Sequence, residues 1–118
     1  MYKNFQLSLR FTVKPKIKVA NQLIGANVGS YAVLECLVEA WPRPLASWMG
    51  QDNTLILPNH KYQISEQVEG YRIKMKLRVT EVTEKDFGAF KCVAKNTLGE
   101  KEGFIRVYGE TQLVNRAS

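Results

Sequence analysis

The sequence predicts an all-β chain folded as a Greek-key sandwich of two sheets. Three observations predict it. Apolar and polar residues alternate with a period of two along most of the chain. Turn residues interrupt the alternation roughly every 8–12 residues. The two cysteines, Cys36 and Cys92, lie 56 positions apart, and each falls on the apolar side of its stretch.

The alternation is clearest over Tyr71 to Val79. Tyr71, Ile73, Met75, Leu77 and Val79 take one side, and Arg72, Lys74, Lys76 and Arg78 the other. Only a strand separates these sets so cleanly. The same division puts Leu34, Cys36, Val38 and Ala40 opposite Val33, Glu35, Leu37 and Glu39, and Phe90, Cys92 and Ala94 opposite Lys91, Val93 and Lys95. Strands are expected at about 15–19, 22–24, 31–40, 45–49, 55–57, 62–68, 71–79, 88–96 and 100–108. The breaks between them carry turn chemistry. They are Gly25 to Gly29, Trp41-Pro42-Arg43-Pro44, Gly50 to Thr54, Pro58 to Lys61, Glu69-Gly70 and Asn96-Thr97-Leu98-Gly99. Gly99 is expected at a positive-φ bulge position, and Thr83 to Asp86 in a single helical turn.

One domain accounts for the 118 residues. It is expected over 15–109, flanked by an N-terminal extension at 1–14 and a tail at 110–118, both expected to be disordered. There are 17 Lys/Arg against 11 Asp/Glu, a formal charge of +6. Half of that excess sits in the flanks, because residues 15–109 hold 13 Lys/Arg against 10 Asp/Glu. Nucleic acid binding needs a dense basic face with stacking aromatics, and no nucleic acid partner is expected. Two cysteines at this spacing fit neither a zinc site nor a CxxC redox pair, and read as one disulfide formed in an oxidising compartment. The opening residues contain no apolar run of signal-peptide length, and no stretch has the length of a membrane span. The chain is therefore expected to be a fragment, or to have an altered start, with export and anchoring signals elsewhere.

Four features narrow the sandwich. Trp48 lies 12 residues after Cys36, and Leu77 lies 15 before Cys92. Asp86-Phe87-Gly88-Ala89-Phe90-Lys91-Cys92 has the form D-x-G-x-[Y]-x-C, and Asn96-Thr97-Leu98-Gly99 the form N-x-x-G. Together they resemble an immunoglobulin domain, and Ala40-Trp41-Pro42-Arg43-Pro44 with Ala94-Lys95-Asn96-Thr97-Leu98-Gly99-Glu100 resembles the I-set of that superfamily. The resemblance implies that Trp48 packs on the disulfide in the core with Leu77 and Phe90, and that Asp86 and Gly88 shape the turn into the second cysteine strand. Phe90 stands where the family pattern has tyrosine, so a hydroxyl contact worth about 1 kcal/mol is absent.

The runs Asn21–Ala26, Val33–Ala40, Cys92–Glu100 and Gly103–Tyr108 are similar to the third immunoglobulin domain of arthropod Dpr-interacting proteins and lachesin, relatives of the IgLON proteins. That resemblance implies an extracellular module of a neuronal cell-surface protein, binding or spacing in cell–cell adhesion and synaptic partner choice. Its partners would be other cell-surface immunoglobulin-superfamily proteins, met mainly through other domains, with this domain alone monomeric.

The outward residues offer two candidate surfaces. Arg72, Lys74, Lys76 and Arg78 could hold an anionic glycan. The blander reading, a solvated face neutralised by Glu35 and Glu39 across the strand, is the expected one. On the other sheet, Met49, Val93 and Phe104, rimmed by Lys91, Lys95 and Arg106, form a candidate interface. Trp41 is expected to cap an end of the core, and His60 to lie in a surface loop. No catalytic constellation, metal set or cofactor motif appears, and neither Asn53-Thr54-Leu55 nor Asn96-Thr97-Leu98 is a glycosylation sequon. The chain is not expected to be an enzyme. The alternatives to an adhesion module are an intracellular muscle-type structural domain and a glycan-binding receptor module.

Overall fold

The computed structural model describes residues 11–110. Eight strands form two four-stranded sheets. In chain order they are β1 (Val13–Val19), β2 (Leu23–Ala26), β3 (Ala32–Trp41), β4 (Leu45–Met49), β5 (Tyr62–Glu69), β6 (Arg72–Val79), β7 (Gly88–Asn96) and β8 (Gly99–Gly109). The first sheet has the order β1-β3-β6-β5 and the second β2-β8-β7-β4. All pairings are antiparallel except β2 with β8. The chain thus changes sheets between Val19 and Leu23, leaving β3 as a partner and taking up β8.

The period-two pattern becomes burial directly. Ile73, Met75, Leu77 and Val79 are buried on β6, as are Leu34, Cys36, Val38 and Ala40 on β3 and Phe90, Cys92 and Ala94 on β7. These faces meet across the sandwich, and the Cys36–Cys92 disulfide joins them with a Cα–Cα distance of 6.6 Å. Trp48 is buried in the same core. Its Nε1 has no hydrogen-bond partner among the described residues, so packing holds the ring in place. Trp41, at the end of β3, is half-buried.

Two glycines permit close approaches. A Cβ on Gly103 would come within 2.7 Å of Ile17, 2.8 Å of Val19 and 3.1 Å of Cys92 Sγ, so the glycine lets β1 lie against the disulfide. Gly88 has φ +139, and a Cβ there would meet the Gln51 side-chain amide at 2.6 Å. The Gln51 Nε2 donates to Phe87 O at 2.8 Å, pinning the loop after β4 to the entry of β7.

The entry to β7 rests on Asp86, the one charged residue buried among those described. It ends a short 3-10 turn, Glu84–Asp86, within the expected helical turn. Its carboxylate accepts from Thr83 N at 2.8 Å, Thr83 Oγ1 at 3.2 Å and Lys61 Nζ at 2.7 Å.

The structure corrects three expectations. The strand expected at 55–57 is reduced to a single bridge between Met49 and Leu55. A tight 3-10 turn, Gln51–Asn53, with Asp52 and Asn53 at positive φ, folds the chain straight back, and Pro58 prevents further pairing. Gly99 is not at positive φ. Asn96 closes that hairpin instead, its Oδ1 accepting from Leu98 N at 2.8 Å, so no left-handed residue is needed there. Thirdly, β1 begins at Val13, inside the expected extension, and Phe11 packs edge-on against Tyr71 at 5.4 Å between ring centroids. Residues 1–10 and 111–118, on which the rest of the disorder expectation falls, lie outside the described residues.

Trp48→Ala and Leu77→Ala each delete a fully buried side chain and should cost about 2–5 kcal/mol, read as a lower midpoint in chemical denaturation. Asp86→Ala strips three donors of their acceptor and should cost about 1–3 kcal/mol. Lys61→Met should cost less than Asp86→Ala, since it leaves the Thr83 bonds in place.

Candidate interaction face

The outward side of the second sheet carries the candidate interface. Strand register sets its rows. Met49 lies opposite Lys91, which lies opposite Phe104; Ser47 lies opposite Val93, which lies opposite Glu102; Lys95 lies opposite Glu100. All six predicted interface residues therefore share one sheet, with Arg106 opposite Ala89 beyond them.

The three apolar members do not form one continuous patch. Phe104 is 57% exposed, but Met49 and Val93 are only half-buried neighbours of a covered lysine. Lys91 stands between Met49 and Phe104 and bonds Glu102 Oε2 at 2.8 Å, which leaves its side chain only 15% exposed. The pair folds over the middle of the face and separates Phe104 from Met49.

Phe104 finds its apolar company on the opposite flank. Leu23 of β2 is 64% exposed and pairs in register with Arg106, two residues along β8. A groove of about 880 Å³ runs past Ile17, Val19, Leu23, Phe104 and Arg106, opened where the chain leaves the first sheet for the second. A smaller hollow of about 250 Å³ lies on the other side of the Phe104 ring, beside Gly50 to Asn53. Leu45, the first residue of β4, is 82% exposed at the far corner.

Leu23 and Leu45 were missed by sequence reasoning. Leu45 was legible, since it has the same parity as Ser47 and Met49. Leu23 was not, because its side depends on the parallel pairing of β2 with β8, which the local sequence does not encode.

The remaining candidates are structural. His60 is exposed, and its carbonyl accepts from Thr80 Oγ1 at 3.0 Å. Among the described residues, no three His, Cys, Asp or Glu side chains are grouped so as to hold a metal ion. No described helix is long and apolar enough to cross a membrane.

Two facing sheets in this strand order, cross-linked by a disulfide beside a core tryptophan, define an immunoglobulin-fold domain. Residues 15–107 match the Immunoglobulin I-set domain, and the chain belongs to that family. Domains of this family are in general binding or structural modules.

Its relatives are of several kinds. Lachesin of Schistocerca americana is 30% identical over 94 residues, covering 80% of this chain and 27% of lachesin. Titin of Drosophila melanogaster is 38% identical over 71 residues, covering 60% of this chain and 0% of titin to the nearest per cent. A chain in the crystal structure of Dpr2 Ig1-Ig2 in complex with DIP-Theta Ig1-Ig3 superposes with a TM-score of 0.79 at 40% identity, covering 83% of this chain and 33% of that one. The present chain thus spans about a quarter of the lachesin it matches and a third of the chain in that complex.

Because Phe104 is exposed and contributes little to the core, Phe104→Glu should alter folding stability by less than about 0.5 kcal/mol. Thermal melts of the two proteins should coincide, which makes the substitution a clean probe of binding.

Proposed function

We propose that this domain is an extracellular module of a neuronal cell-surface adhesion or recognition protein, and that it is not an enzyme. It works as a binding or spacer unit in cell–cell adhesion and synaptic partner choice. The observation that carries this reading is the Cys36–Cys92 pair buried across the sandwich. Such a bond persists in an oxidising compartment and is rare where thiols are kept reduced. The similarity to lachesin and to a chain of the Dpr2–DIP-Theta complex supports the adhesion setting.

Partners would be other cell-surface immunoglobulin-superfamily proteins, met mainly through other domains of a longer chain. The Phe104 face supplies at most an accessory contact. Burial of one large aromatic is worth about 1.5–3 kcal/mol, enough to centre a weak interface and too little for a tight one. The domain alone is accordingly a monomer at micromolar concentration.

A second reading, an intracellular structural domain of the titin kind, is favoured by the Drosophila titin similarity. The two differ in the state of the sulfurs. Protein isolated from its native cells with thiols trapped at lysis should yield no free thiol after denaturation. Two titratable thiols would favour the titin-like role. For the face itself, sedimentation should give a monomer. Phe104→Glu should weaken partner binding by the full ectodomain if the face is used, and leave it unchanged if the domain only spaces.

A further inference from the structure

The outward side of the first sheet points to a ligand of its own. We propose that this face, formed by β1, β3 and β6, binds a linear sulfated polysaccharide.

The domain's excess charge lies on this face. Residues 15–109 carry 13 Lys/Arg and 10 Asp/Glu. Strand register puts Lys16 and Lys18 of β1 on the same outward side as Arg72, Lys74, Lys76 and Arg78 of β6, joined there by Glu35, Glu39 and Glu69. Six bases and three acids thus share this face. The remaining charges of the domain are seven of each sign. The whole positive excess of the domain sits on one side of one sheet.

The neutralisation expected from sequence is incomplete. Glu39 accepts from Arg72 Nε at 3.1 Å, and Glu35 pairs with Lys74 Nζ at 3.3 Å. Arg78 lies over the Tyr31 ring at 4.0 Å, a contact that keeps its charge. Lys16 opposite Glu39, and Lys18 opposite Leu37, add two exposed cations on the far side of β3. Reading β6 against β3 alone omitted them.

The two basic rows run along strands separated by β3, about 10 Å apart, with successive outward residues about 7 Å apart along each strand. Between the rows is a shallow depression of about 390 Å³ bordered by Lys16, Lys18, Leu37, Glu39 and Arg72. Leu37 gives it an apolar floor onto which a sugar ring can settle. Cations on both walls suit a polymer with sulfates on its two edges. This face, whose exposed apolar side chains are Val33, Leu37 and the Tyr31 ring beneath Arg78, lacks the protruding apolar wedge that would favour a lipid surface. It also lacks the row of stacking rings that single-stranded nucleic acid requires.

The test uses the whole 118-residue chain and a heparin-derived octasaccharide as probe, by calorimetry at about 0.15 M salt and again at higher salt. Lys16→Glu/Lys18→Glu should lower affinity by about tenfold or more and flatten the salt dependence. Lys85→Glu/Lys101→Glu changes net charge equally but lies off this face, and should have little effect. Coincident thermal melts of the two double variants would establish that both fold. The proposal is overturned if the wild type fails to bind, or if both variants lose affinity equally. It is also overturned if desulfated heparin or phosphatidylserine vesicles bind as well as the octasaccharide. None of these outcomes bears on the thiol count, so the adhesion reading stands or falls separately.

Discussion

The Cys36–Cys92 bond is the constraint on which the rest of the structure depends. It ties the centre of β3 in one sheet to the centre of β7 in the other. Under the chain-entropy model, closing a loop of this length removes about 4 kcal/mol of unfolded-state freedom. That matters in a domain small enough for its core alone to leave a narrow margin. The bond also dictates its surroundings. Trp48 packs into the core beside it, in register with Cys92. Opposite, a Cβ on Gly103 would press on Ile17 and Val19 of β1 at 2.7 and 2.8 Å and on Cys92 Sγ at 3.1 Å, so the glycine lets that strand pack closely over the bond.

Once both inward faces are committed to the core, chemistry is confined to the outward faces, and these are built differently. On the first sheet, β3 lends two carboxylates to β6, while the edge strand β1 contributes only cations. On the second, Lys91 and Glu102 neutralise each other over the middle of the sheet, leaving Phe104 exposed beside the β2 edge. The change of sheets between Val19 and Leu23 serves both faces. It places Lys16 and Lys18 beside β3 and carries Leu23 to Phe104 within one short crossing.

What was legible in the sequence followed from periodicity and spacing. β6 was readable almost residue by residue, because four apolar and four basic positions alternate without a break. Phe90, Cys92 and Ala94 were readable for the same reason. What failed depended on relations the local pattern does not contain. The strand at 55–57 looked like a strand because Leu55, Ile56 and Leu57 are apolar, yet only Ile56 is buried and its neighbours point to solvent. The left-handed Asp52 and Asn53, which shorten that loop, have no counterpart in hydrophobic pattern. The Lys91–Glu102 pair over the middle of the Phe104 face depends on β7–β8 register, which alternation along one strand does not contain. The basic face was undercounted in the same way, since only the β3–β6 pairing was considered.

The partition of charge constrains how the domain can act within a longer chain. The two outward faces lie back to back across a sandwich about 10 Å between sheets, so a ligand on one does not occlude the other. Attraction to an anionic polymer depends on several separated cations and is screened by salt. A contact centred on Phe104 depends on one apolar ring and is largely insensitive to it. A domain with both kinds of surface can be held loosely by its charged face while its other sheet remains open. Neither attachment needs to be tight, because linking weak sites in one chain raises the effective concentration of each for its target.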